Sequence, residues 1–216
     1  KLTKYNGRSL AYLDLNDPEP RNIFIKNEFD SDFFILVNYF INRESTIFDL
    51  GANHGQSSFG LVSCTNNHSF HLFEANFNLS RLLKKSITIQ PSGTFQVIPL
   101  CVSNKNGYTT FYLEELQTGQ SHVATDIEKG TKIKNVVLNQ YCREKNLERI
   151  NFAKVDLEGH ELTALEGWDD FLASGSIDAI YIEVIPENQI RYNNPTNCAL
   201  LYLEDFGYQL YLCKKD

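Results

Sequence analysis

The chain has 216 residues, 42% of them hydrophobic, enough apolar content for one domain that buries roughly 70% or more of its unfolded surface. Its 27 acidic residues outnumber 20 basic ones for a net charge of −7, so it offers no electrostatic footprint for nucleic-acid phosphates or an anionic membrane. No apolar run approaches the ~20 residues of a bilayer-spanning helix, and no apolar stretch behind Lys1 reads as a secretory leader, so the expected compartment is the cytoplasm.

In chain order, residues 1–44 read as a lead-in, with a loose β-rich piece around residues 22–25 and then a helix over 32–41 that would cover one face of a sheet. Residues 45–216 alternate short apolar runs with segments of helical period, the pattern of a βαβ protein with a mainly parallel sheet. The strand-like runs fall at 47–50, 70–73, 95–102, 152–155, 179–184 and 208–213. Between them, Leu79, Leu82 and Leu83 mark one helix and Leu162, Leu165, Trp168 and Leu172 a second. Residues 199–206 form a third, with Asn197 as cap and Gly207 as stop. Asn106-Gly107 and the alternating residues 108–113 predict a hairpin, followed by a long polar loop to residue 134. Cys64, Cys101, Cys142, Cys198 and Cys213 are widely spaced with no CxxC pair, so they read as buried free thiols of a reducing compartment.

The chemistry concentrates where strands end. Asp49-Leu50-Gly51-Ala52-Asn53-His54-Gly55 closes the first core strand just before a helix, where a glycine-rich turn lets a nucleotide-like cofactor approach backbone N–H groups. The dinucleotide fingerprint needs three glycines, and Asn53 stands where the second should be, which disfavours NAD. Glu74, at the end of the second strand, can accept two hydrogen bonds from a ribose diol. Lys154-Val155-Asp156-Leu157-Glu158-Gly159-His160-Glu161 places three carboxylates and an imidazole at the end of the fourth core strand, and Glu183 reaches the same rim from the fifth. Open α/β sheets bind ligands at that edge. Glu158 and Glu161 have the plainer reading of complementing the positive end of the next helix.

These segments resemble the FkbM-type family of class I S-adenosylmethionine (SAM)-dependent methyltransferases. The matching pieces are IFDLGANHGQSS from Ile47, FEANFNLSRLLKK from Phe73, CVSNKNGYTTFYL from Cys101, AKVDLEGHELTALEGW from Ala153 and IYIEVIP from Ile180. The resemblance implies a Rossmann-like α/β three-layer sandwich with strand order 3-2-1-4-5 plus an edge strand. It implies that SAM is bound, and S-adenosylhomocysteine left as product, with Asp49, Gly51, Asn53 and Gly55 on the methionine part, Glu74 on the ribose, and Cys101 and Val102 at the adenine edge. It also implies O-methylation of a hydroxyl on a sugar, glycan or secondary metabolite, with Asp156 and its neighbours facing the transferring methyl. His54 departs from the family, whose members often carry an apolar residue there, and would bring an extra imidazole near the cofactor.

Removal of a hydroxyl proton during attack calls for a general base, for which Asp156 is the first candidate and His160 or His54 the runners-up, with Glu158 beside them. A divalent cation held by Asp156, Glu158, His160 and Glu183 is less favoured, because no hard-ligand loop spacing is present. Tyr108, Phe111, Tyr112, Tyr181 and Tyr192 are candidates for a sugar-stacking wall, though ordinary packing is the favoured role of each. Residues 117–130, with Ser121 and His122, are the candidate lid. Two other classes stay open: a non-catalytic nucleoside-binding module, and an NAD(P)-dependent oxidoreductase. The acceptor is expected to be a small molecule or glycan, and the oligomeric state is undetermined.

Overall fold

The computed structural model describes residues 1–114, 117–125 and 128–213. Strands β1 (Leu2–Tyr5) and β2 (Ser9–Tyr12) pair antiparallel across a turn in which Asn6 and Gly7 take positive φ. Helix α1 (Pro18–Lys26) follows, with Asp17 accepting the Glu19 N–H, Pro18 presetting the first φ, and Asn27 stopping it in the left-handed conformation. The run at 22–25, expected to be β-rich, is therefore helical, because the cap and proline ahead of it outweigh the three β-compatible side chains Ile23, Phe24 and Ile25. Helix α2 (Ser31–Val37) is capped by Asp30, which accepts the Phe33 N–H, and ends earlier than expected.

Strand β3 (Thr46–Leu50), helix α3 (Gln56–Gly60), strand β4 (Ser69–Phe73), helix α4 (Phe77–Ile87) and strand β5 (Thr94–Ile98) make two successive βαβ units. Pro99 has no N–H to give to a ladder, and the Leu100 N–H turns back to the Ile98 carbonyl at 2.9 Å. The single run expected over 95–102 is thereby split, and β6 (Cys101–Val102) enters a second sheet with β7 (Tyr108–Tyr112), β8 (His122–Val123) and β9 (Thr131–Val136), in the order β6-β9-β7-β8. Because β9 lies between β6 and β7, the Asn106-Gly107 turn does not close the simple hairpin expected of it. Residues 122–123 and 131–134 of the predicted long loop are strand, and residues 115, 116, 126 and 127 of that stretch lie outside the described residues.

Helix α5 (Leu138–Glu144), strand β10 (Phe152–Val155), helices α6 (Glu161–Glu166) and α7 (Asp169–Ala173), strand β11 (Ile180–Ile182), and helices α8 (Pro186–Arg191) and α9 (Cys198–Asp205) complete the chain. The helix expected across Leu162 to Leu172 breaks at Gly167, which packs directly against the Ser103 carbonyl where a side chain would not fit. The edge strand expected at 208–213 does not form. A mostly apolar run becomes a strand only when a ladder partner is present, and here Tyr211 and Leu212 are 82% and 83% exposed.

The central sheet has five parallel strands in the order β11-β10-β3-β4-β5, which is the 3-2-1-4-5 order of a Rossmann-like fold. Strand alternation sends Phe48 and Ala153 into a core beneath Trp168, Leu138 and Leu203, and sends Ile47 and Phe152 into a core with Phe59, Leu83 and the N-terminal Tyr5 and Phe33. Phe48 stacks on Trp168 at 5.3 Å and 17°. Among the described residues no helix is long and apolar enough to cross a membrane. All five cysteines are free, but only Cys101 and Cys142 are fully buried, whereas Cys64 and Cys213 are exposed because they lie on a surface turn and the unpaired tail.

Candidate active site

Register builds the site. Val155 pairs with Leu50 and with Ile182, Leu50 with Phe73, and Phe73 with Ile98. The next residue after four of these aligned ends is Gly51, Glu74, Asp156 or Glu183, so four residues chosen from distant parts of the sequence converge on one rim. They line a cavity of about 290 Å³ together with Asn53, Cys101, Val102, Glu158 and His160, near the lower end of the usual range for small-molecule sites. Asp49 and Gly55, both expected at the cofactor, do not line it, and neither does His54.

The turn after β3 is held from within. Gly51 takes φ +83°, and a Cβ there would overlap the Asp156 carbonyl oxygen, so only glycine lets the turn after β3 lie this close to the end of β10. The N–H groups of Gly51 and Ala52 both donate to the Phe73 carbonyl, at 3.0 and 2.9 Å, and the Asn53 N–H donates to Glu74 Oε2 at 2.7 Å. These three donors are spent on the protein, contrary to the expectation that the turn offers them to a ligand. Gly55 (φ +78°) lies against Phe59 and Leu83, and its role is close packing. Asp49 is 2% exposed, with Oδ2 accepting the Ser58 hydroxyl at 2.6 Å and Lys154 Nζ 4.0 Å from Oδ1. Burial raises its pKa against the pull of Lys154 and Ser58. Its place behind the turn makes it a scaffold of the site, not a wall. His54 is fully buried, bonded through Nδ1 to Asn53 Oδ1 at 2.6 Å, and burial lowers its pKa to about 4.

Glu74 has the geometry for a diol. Oε2 accepts from Asn53 and Oε1 from the Asn76 N–H, each at 2.7 Å, which leaves one acceptor position on each oxygen. Burial pushes its pKa up to about 7 despite those two donors. Cys101 and Val102 stand beside it as the buried end of the cavity.

Across the cavity, Lys154 Nζ holds Asp156 Oδ2 at 2.7 Å. Burial opposes the ammonium, yet Asp156 and Asp49 keep its pKa above the ordinary lysine value. Glu183 is pushed up to about 7 by burial and then by the Asp156 charge and hydrogen bond. Glu158, in the left-handed region at φ +54°, accepts from Asn188 Nδ2 at 2.6 Å and is raised to about 7, by burial first and then Asp156. Glu161 is structural: its carboxylate takes the N–H groups of Leu157 and Gly159 and the Gln189 amide. His160 faces the cavity with Nε2 shut off from solvent and unbonded, and burial lowers its pKa to about 4. Among the described residues no group of three or more His, Cys, Asp or Glu has metal-holding geometry.

Sequence reasoning missed the part of the wall that comes from the lead-in and from Gln56, whereas the β7 to β8 connection, with Thr118, Gly119 and Ser121 at the cavity, falls within the 117–130 stretch named as the candidate lid. Glu19 and Phe29 line the cavity, as do Gln56, Thr118 and Gly119. Asp17, 3% exposed, ties the two segments together by accepting the N–H groups of Glu19 (3.1 Å) and Thr118 (2.8 Å) and the Thr118 hydroxyl. The Asp17-Pro18 cap signal was available; nothing in the sequence pairs it with Thr118. Lys154 also had a signal, since a lysine inside an apolar strand is rarely buried unless paired. Of the aromatic candidates, Phe111 lines the cavity, Tyr181 packs edge-on against Phe33, Tyr192 donates its hydroxyl to the Val123 carbonyl at 2.6 Å, and Tyr108 is 70% exposed.

A family model for the methyltransferase FkbM domain matches residues 49–210. No curated protein and no solved structure matches the chain.

Proposed function

The chain belongs to the FkbM methyltransferase family, and from that premise we propose that it moves the methyl group of SAM to a hydroxyl of a sugar, glycan or secondary metabolite, in the reducing cytoplasm that five free thiols suit. The observation that carries this reading is the pairing of Glu74 with the opposed Asp156–Glu183 rim across one cavity. A ribose needs a buried carboxylate with spare acceptor positions, and Glu74 has them. A sulfonium is cationic, and the cavity sets Glu19, Glu74, Asp156, Glu158 and Glu183 against Lys154 alone. The same charge would repel the two phosphates of NAD, and the apolar Leu100 and Val102 offer a face to an adenine ring.

Glu74 would hold the ribose, Cys101 and Val102 the adenine edge, and Gly51 and Asn53 the start of the methionine chain. SAM held by these residues would supply the methyl group that the acceptor oxygen takes. What remains for the protein is to position the acceptor in a water-poor cleft and to take its proton. Asp156, oriented by Lys154, accepts the hydroxyl proton, and Glu183, hydrogen-bonded to it at the same rim, steadies it there. Glu158 and His160 shape the acceptor side.

Calorimetric titration with SAM, S-adenosylhomocysteine and NAD tests the reading. Micromolar binding of the first two, about −8 kcal/mol, with no heat from NAD, is the expected result. Binding of NAD alone, or of none, would overturn it.

A further inference from the structure

Gln56 is 6% exposed and lines the cavity, yet its Oε1 has no hydrogen-bond partner. A buried amide oxygen left unpaired costs on the order of 1–3 kcal/mol, so its retention here calls for a donor from outside the chain. One partner fixes the orientation of that amide. Its Nε2 donates to Glu19 Oε1 at 3.3 Å, and a carboxylate can only accept, so the nitrogen must face Glu19 and the oxygen must face away from it. Its backbone carbonyl is pinned by the Tyr5 hydroxyl at 2.6 Å.

Glu19 is positioned just as firmly. Its N–H is bound to the Asp17 cap, and Gly119 closes over it, with Glu19 Oε2 3.5 Å from where a Cβ of Gly119 would sit. An amide oxygen and a carboxylate on neighbouring residues of one cavity wall, with no protein donor for the former, match a group that has several N–H donors and a positive charge, which is a primary ammonium. A hydroxyl would satisfy one oxygen and leave the carboxylate charge unanswered.

With the ribose on Glu74 and the reacting centre before Asp156, the arm of the cavity left for the amino-acid end of the cofactor is the one walled by Gly51, Asn53, Gln56 and Glu19. We propose that Glu19 and Gln56 form the subsite for the cofactor's α-ammonium group, so that the N-terminal segment, outside the region 49–210 matched by the family model, completes the cofactor site. The inference rests on the SAM reading above. It gives Asp49, buried behind the turn, the supporting role and Glu19 the direct one.

The experiment is a double comparison by calorimetry on the full chain: S-adenosylhomocysteine against its desamino analogue, in which hydrogen replaces the α-ammonium, each titrated into the wild-type protein and into Glu19→Gln. Glutamine keeps an acceptor for the Gln56 amide and removes only the charge. The expected result is a loss of at least tenfold for S-adenosylhomocysteine in Glu19→Gln, with less than twofold change for the desamino analogue. Equal losses for both ligands would make Glu19 a mere shaper of the cavity and overturn the proposal. No loss for either would overturn it too, handing the paired acceptors to an amine of the methyl acceptor. Failure of the wild-type protein to bind S-adenosylhomocysteine would remove the cofactor reading itself, and the subsite with it.

Discussion

The Asn53 N–H donates to Glu74 Oε2 at 2.7 Å, so the turn after β3 and the acid at the tip of β4 hold each other in place. The side chain proposed for the ribose is therefore also a strut of the glycine turn, which separates its two roles by pH. The Glu74 carboxyl has a pKa of about 7 in the free protein because it is buried. Ribose hydroxyls donate to the ionised form, so affinity for S-adenosylhomocysteine should fall by up to tenfold per pH unit below 7, with a proton released on binding. Calorimetry in buffers of different ionisation enthalpy between pH 5.5 and 8 measures both; a flat profile would take Glu74 away from the ribose.

Stability should move the opposite way. Between 4.5 and about 7 the folded Glu74 keeps a proton that the unfolded chain has lost, so its contribution to stability falls as pH rises through that window. Glu74→Gln has no such titration. The variant starts weaker, because its amide cannot accept both the Asn53 and Asn76 N–H groups. Relative to wild type it should gain about 2 kcal/mol between pH 5 and pH 7, read as converging denaturant midpoints.

The central sheet was legible because buried parallel strands write near-continuous apolar runs, and 47–50, 70–73 and 152–155 did so. The rim residues Gly51, Glu74, Asp156 and Glu183 followed from strand ends alone. What stayed hidden depends on contacts far apart in sequence. Nothing local tells that β9 inserts beside β6, that Thr118 reaches Asp17 across 101 positions, or that Gln56 meets Glu19. The tail at 208–213 shows the converse, since its run is mostly apolar but no strand pairs with it.

Asp156 gives a kinetic prediction. Asn at this position keeps an oxygen for Lys154 Nζ but cannot take a proton. With the first sugar acceptor that gives turnover, Asp156→Asn should lower kcat by about 10² to 10⁴ while the dissociation constant for S-adenosylhomocysteine stays within about threefold of wild type. A kcat within a factor of three of wild type would assign the proton to Glu183 alone.

Asp17 joins the lead-in to the β7–β8 connection through three accepted hydrogen bonds. Asp17→Ala removes the α1 cap and leaves the Thr118 donors unpaired, an expected loss of about 2–4 kcal/mol, or roughly 4 to 16 °C in melting temperature for a domain of this size. Differential scanning calorimetry of the free protein reads it. A shift under 2 °C would mean that solvent replaces Asp17 at no net loss.

Gly51 is the position where the fold tolerates least. Its φ of +83° lies where L side chains are rare, and the Cβ of an alanine would meet the Asp156 backbone oxygen, which belongs to β10's end and cannot swing aside as a side chain can. The Asp156 N–H is itself bonded to the Leu50 carbonyl at 3.1 Å, so the two strand ends are clamped at this height. Relief would require parting β3 from β10, the pair that carries the register aligning Leu50 with Val155. Gly51→Ala should therefore cost more than about 3 kcal/mol, by left-handed strain together with overpacking, and should disorder the rim before it unfolds the sheet. Gly175→Ala is the control: φ there is +64°, also left-handed, but open space surrounds the Cβ, so backbone strain acts alone and about 1–2 kcal/mol is expected. Chemical denaturation of both variants decides the matter, because equal losses would show that the approach of Asp156 to the turn is not what fixes this glycine.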